Sequence, residues 1–190
     1  MKPHPFYPTF NALTTTILMI SEAMPEREEE YFYSSRDSLF VLNTLSAFRQ
    51  AGCAVNTIED ILALGVFLTV AVKEPRPGTS MPRALIEKYN VLLEQEIAQF
   101  PNLKVILLMG DVAIQSLNLI ARRNIGKRCI PCGSTYKIRT QQFYYKNMRV
   151  FPSYLQTGKN FLIEKAKQRM VIEDIQNALH YVRMESGSNE

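Results

Sequence analysis

The segment Arg149-Val-Phe-Pro-Ser-Tyr-Leu-Gln-Thr-Gly-Lys-Asn160 joins a short apolar run to Pro152, then to a polar turn with Gly158, then to a stretch rich in Lys and Arg. A strand that opens into a loop at the N-terminus of a basic helix is where an α/β protein places a phosphate or a nucleobase. A second segment, Ser21-Glu-Ala-Met-Pro25, also follows a continuous apolar run. The two loops together form the candidate site.

Outward from these loops the chain alternates apolar runs with amphipathic stretches. Thr14–Ile20, Val66–Val72, Val105–Met109 and Arg149–Ser153 read as strands covered on both faces. Helices are expected at Leu39–Gln50, capped by Asp37 or Ser38, and at Thr57–Leu64, where Thr57 and Asp60 have capping-box spacing. Further helices are expected at Ser80–Gln99, at Asp111–Arg122 with Asp111 as N-cap, and from about Lys159 to Met184. Tyr136–Arg139 and Phe143–Tyr145 read as a hairpin or a pair of short strands. Asp174 is expected outside or beside an arginine. The resulting expectation is one three-layer α/β/α sandwich around a central, mostly parallel four-stranded sheet with right-handed crossovers. Its core spans about 14–184, with the N-terminal arm and the tail from Gly187 peripheral. There is no internal repeat or linker.

At 190 residues the chain is long enough for a complete core without staples. Three cysteines, an odd number, suit a reducing compartment, so a cytoplasmic location is expected. Cys129 and Cys132 form a C-x-x-C flanking Pro131. A four-ligand zinc set would have to add Cys53 and either His4 or His180, so turn cysteines are the preferred reading and neither metal nor cofactor is expected. No apolar run reaches 18 residues, and the N-terminus lacks the charged-then-apolar order of a signal peptide; neither a membrane span nor a signal is expected.

The net charge of +4 conceals an asymmetry. Residues 122–170 contain twelve Lys or Arg against one acid, Glu164, whereas residues 1–121 carry nine basic and thirteen acidic side chains. Seven Tyr and Phe are interleaved with the basic block. Basic charge mixed with aromatics suits a nucleic-acid backbone and unstacked bases, and a small metabolite needs fewer charges. The plainer alternative is a solvated basic surface.

The order of these motifs resembles the uracil-DNA glycosylase superfamily, and most closely its poorly characterised bacterial branch. The resemblance covers about residues 14–180. It is carried by Ile20-Ser-Glu-Ala-Met-Pro25 with Tyr31-Phe-Tyr33, by Phe67-Leu-Thr-Val-Ala-Val-Lys73, by Met109-Gly-Asp111, and by Phe151-Pro-Ser-Tyr-Leu-Gln-Thr157 at the place of the third motif. It implies excision of uracil or another deaminated base from DNA, with the base flipped into a pocket and stacked on an aromatic ring. The pattern departs at three positions: Ala23 stands where a catalytic Asp is common, Val70 at the base-reading Asn, and Leu155 at the His that stabilises the leaving base. Leucine cannot donate to an anion, and loss of one such donor costs about 10²–10³ in rate.

Within this resemblance Glu22 is the candidate water-orienting carboxylate, with Ser153 and Gln156 standing in for the His. Ser21, Ala23, Thr69, Tyr154, Leu155 and Thr157 are candidate substrate contacts, and Phe32 or Tyr33 the stacking ring. Lys73, Lys159, Asn160, Lys165 and Arg169 are the candidate DNA-backbone row. Three readings compete: a divergent glycosylase, a nucleic-acid or nucleobase-binding module without turnover, and an enzyme acting on a small nucleotide-like substrate. The partner is expected to be DNA, with strandedness and oligomeric state left open.

Overall fold

The computed structural model of the chain describes residues 9–187. Its strands are β1 (Ile17–Met24), β2 (Val66–Pro75), β3 (Val105–Met109), β4 (Phe143–Tyr145) and β5 (Met148–Ser153), joined in one sheet of order β2-β1-β3-β5-β4. β1 pairs in parallel with β2 and β3, and β3 with β5; β4 is antiparallel to β5. The helices are α1 (Leu39–Gln50), α2 (Ile58–Ala63), α3 (Arg83–Ala98), α4 (Asp111–Ile125), α5 (Thr135–Ile138) and α6 (Lys165–Gly187).

Alternation along the strands builds two cores. Ile17 and Met19 of β1 join Leu45 and Phe48 of α1 and Val171 and Ile175 of α6. Leu18 and Ile20 join Leu93 of α3 and Leu117 of α4 on the other face. Ser38 caps α1, and Thr57 with Asp60 forms the expected capping box at α2. No described helix is long and apolar enough to cross a membrane.

The sheet departs from expectation in having a fifth strand. Phe143–Tyr145 pairs with β5, but Tyr136–Arg139 contributes no partner strand. That segment turns into α5, with Ile138 buried and the Arg139 guanidinium drawn to Asp174 on α6. β1 and β2 also run further than expected, to Met24 and Pro75, because Ala23 pairs with Val72 and Met24 with Pro75. The last helix begins only at Lys165. Phe161 is buried in the core beneath α6 and local turns close over it, so Lys159 and Asn160 stand in a turn instead of on a helix. Asp111 is the first residue of α4, and Gly110 occupies the N-cap. His4 and the tail beyond Gly187 lie outside the described residues.

Candidate functional site

The carboxyl ends of β1, β3 and β5 open onto a cleft of about 580 Å³. Its walls are Glu22 at the end of β1, Gly110 and Asp111 at the start of α4, Ser153–Leu155 after β5, Gly133–Thr135 before α5, and the turn from Gly158 to Phe161. Placement at strand ends follows from the parallel sheet, whose crossovers return every chain segment to the same edge.

Glu22 is the fixed charge of this cleft. Its side chain is 11% exposed. One carboxylate oxygen accepts the Val112 backbone N–H at 3.2 Å, and the other pairs with the Arg76 guanidinium from the loop after β2. The N-terminus of α4 and the arginine both hold the carboxylate in place. Gly110 makes this seat possible: its φ is +104°, and a Cβ there would lie 2.5 Å from the Glu22 carboxylate.

Asp111 is exposed beside Glu22, and its side chain caps nothing. The strand-to-helix turn at Gly110-Asp111 predicts Asp111 as the N-cap. Gly110 is the cap instead, with φ +104° and the Glu22 side chain packed where its Cβ would be, a tertiary arrangement invisible in the sequence.

Across the cleft, the Ser153 hydroxyl donates to Asp174 at 2.5 Å. Asp174 is 1% exposed and is gripped by Arg139 through both carboxylate oxygens, at 2.9 and 3.3 Å. Burial pushes the Asp174 carboxyl up to about 6, against the opposing pull of Ser153 and Arg139. Arg139 also bonds Glu173 and the Met170 carbonyl. The Ser153 proton is therefore committed to Asp174 while that carboxylate is ionised, leaving the hydroxyl as an acceptor.

Tyr154 and Leu155 line the cleft, and Lys159 and Asn160 stand exposed on its rim. Lys167 reaches the Tyr154 ring, 5.8 Å from its centroid, and pairs with Glu164. Lys165 and Arg169 are exposed in the first turns of α6 and are not part of the cleft wall.

The other expected residues are directed elsewhere. Extension of β1 puts Ser21 and Glu22 on opposite faces of the sheet. Ser21 is fully buried and exchanges hydrogen bonds with Gln156, whose amide also reaches Thr44, so neither Ser21 nor Gln156 faces the cleft. Thr157 is buried, and Ala23 packs against the α3–α4 core. Thr69 donates to Glu96 at 3.0 Å within the same buried cluster as Lys73. Lys73, expected at a phosphate, is 11% exposed and bonds Glu96, Thr69 and the Val70 carbonyl, because its strand continues past it and turns its stem inward.

Neither aromatic proposed for stacking borders the cleft. Phe32 is in the core, and the Tyr33 hydroxyl accepts the Leu68 N–H at 2.9 Å and donates to the Leu68 carbonyl at 2.8 Å along the outer edge of β2. Both line a different cavity of about 440 Å³, between the 32–37 loop, α1 and the start of α2.

The basic block is also partly structural. Arg149 is buried, bonds the carbonyls of Phe143 and Gln141, and stacks 4.4 Å from the Phe151 ring centroid. Arg139 is held as described, and Arg123 pairs with Glu94. Among the described residues no group of three or more His, Cys, Asp or Glu side chains is arranged to hold a metal ion. The chain matches no protein-family model, and no curated protein matches it in sequence.

Proposed function

We propose that the cleft receives a nucleobase turned out of a DNA strand. In this reading the chain is a divergent uracil-DNA-glycosylase-like hydrolase that cuts the N-glycosidic bond of uracil or another deaminated base, in base excision repair. One observation carries the proposal: the Glu22 carboxylate, fixed by Arg76 and the α4 N-terminus, in the wall of a cleft with Lys159 and Asn160 on its rim. Heterolysis of an N-glycosidic bond leaves positive charge on the sugar and negative charge on the base. Glu22 sits where it can oppose the first, and the Lys159 and Asn160 donors where they can meet the second or the flanking phosphates. Asp111, exposed on the same wall, supplies a carboxylate that can take the proton of the attacking water.

A second reading, a nucleic-acid-binding module without turnover, is favoured by the side chains that have been withdrawn. Gln156 and Thr69 are bonded within the core, and Leu155 stands on the cleft wall where a donor to the leaving base is needed.

Single-turnover incubation with end-labelled single- and double-stranded oligonucleotides containing uracil, hypoxanthine, xanthine or no lesion separates the two. Cleavage at abasic sites after alkali, lost in Glu22→Gln, supports the hydrolase. Salt-dependent binding without cleavage supports the module. Neither binding nor cleavage overturns both.

A further inference from the structure

The loop from Gly126 to Ser134 joins α4 to α5 and holds two of the three cysteines. Cys132 is exposed, with the Arg128 guanidinium against its sulfur. Cys129 is half-buried and donates its S–H to the Tyr144 carbonyl at 3.3 Å; burial pushes its thiol up to about 11. Ile130, between them, is fully buried and clamped by one side chain: its N–H donates to Asn118 Oδ1 at 2.8 Å, and its carbonyl accepts Asn118 Nδ2 at 2.9 Å. Pro131 fixes the next φ. The bend between the two sulfurs is thus already ordered, which lowers the entropy cost of joining them. Cys53 packs against the α1–α6 core, whereas Cys129 packs against the α3–α4 core, so the sheet separates it from this pair.

We propose that Cys129 and Cys132 form a dithiol that hydrogen peroxide converts to a disulfide next to the cleft wall, in the loop that continues into Gly133, Ser134 and Thr135. Division of labour follows from the surroundings. Cys132 is reachable and has the Arg128 guanidinium beside its sulfur, the setting of an attacking cysteine, while the shielded Cys129 resolves. The Cys132 thiolate attacks one peroxide oxygen; the O–O bond breaks, an S–O bond forms, and hydroxide leaves to become water. Cys129 sulfur then attacks the sulfenic sulfur; the S–S bond forms, the S–O bond breaks, and the Cys129 proton leaves with that oxygen as a second water. Two thiols lose two electrons in total and one peroxide gains them. Closure withdraws the S–H from the Tyr144 carbonyl and restrains Cys132, from which Gly133, Ser134 and Thr135 lead directly into the cleft wall. The effect on nucleic-acid binding rests on the proposed function; the oxidation does not.

The test is one equivalent of hydrogen peroxide added to the reduced full chain, read by intact mass and peptide mapping. The expected result is loss of two hydrogen masses with a Cys129–Cys132 cross-linked peptide, reversed by dithiothreitol and unchanged in Cys53→Ser. Cys132→Ser abolishes it, and Cys129→Ser leaves a sulfenic acid on Cys132 that dimedone traps. Persistence of both thiols, oxidation at Cys53 instead, or cross-linking only between chains overturns the proposal. Oligonucleotide binding is then compared in both forms. Binding that is the same in both overturns the link to the cleft alone, and no binding in either form counts against the functional reading.

Discussion

Gly110 lies directly under the Glu22 side chain, with the position of a Cβ on Gly110 only 2.5 Å from Glu22 Oε1 and 2.9 Å from its Cδ and Cγ. Gly110→Ala therefore meets two penalties, a strained backbone at φ +104° and a carboxylate that must move. We expect a loss of about 1–3 kcal/mol from the backbone, together with loss of any activity that needs Glu22 in place. Urea unfolding of Gly110→Ala, Glu22→Ala and the double variant checks this. The clash component disappears in the double variant and the backbone component remains, so the two changes are non-additive.

The parallel strands, the amphipathic helices and the position of the site at the strand ends were legible because each depends on local periodicity. Side-chain direction at the site was not. Whether Ser21 and Glu22 share a loop or alternate across a strand is decided by pairing of Ala23 with Val72, a contact 49 residues away in the chain. Lys73 shows the same limit: strand-end lysines commonly face solvent, but here the strand runs on to Pro75 and the buried Glu96 on α3, with Thr69 and the Val70 carbonyl, holds the lysine inward. Asp174 is expected outside or beside an arginine, and Arg139 is that arginine; which one it is could not be read in advance, because the partnership spans α5 and α6 with no spacing signal in the sequence.

Asp174 makes stability depend on pH in an unusual direction. Its carboxyl is raised from the ordinary 3.8 to about 6 by burial, so between these values the folded chain holds a proton that the unfolded chain has released. Fewer protons on the unfolded state mean that this group's contribution to stability falls as pH rises through that window. Chemical denaturation at pH 4–7 is expected to show a negative component that is absent in Asp174→Asn. At pH 7, Asp174→Ala is expected to cost about 3–5 kcal/mol, since it leaves Arg139 buried without its main partner. A slope unchanged by Asp174→Asn would refute the assignment.

Tyr33 protects a sheet edge. Its hydroxyl bonds both the N–H and the carbonyl of Leu68 on β2, which among the described residues has β1 as its only strand neighbour. An edge with free backbone groups is a template for pairing with another chain. Tyr33→Phe keeps the ring and removes both bonds, with an expected loss of about 1–3 kcal/mol from the unmet groups. Light scattering on concentration series is expected to show more self-association in the variant than in the parent chain. Equal scattering at matched stability would remove the edge-protection role.

Lys73 and Lys159 were both expected at the nucleic-acid backbone, and their environments now separate them. Lys159 is exposed at the cleft rim, whereas Lys73 is held by Glu96 and its pKa is lowered by burial. Lys159→Ala is expected to reduce the slope of log K against log salt by about one for oligonucleotide binding, with little change in unfolding free energy. Lys73→Ala is expected to do the reverse: the salt slope stays, and stability falls by about 3–5 kcal/mol because Glu96 keeps a buried charge without its ion pair. Replacing both by apolar residues, Lys73→Met with Glu96→Leu, is expected to recover most of that loss, since a buried pair is often no better than well-packed hydrocarbon. Binding isotherms at several salt concentrations, paired with denaturant melts of the same proteins, decide the matter. A salt slope that falls with Lys73→Ala would mean that the Lys73–Glu96 pair opens to release the lysine when nucleic acid binds.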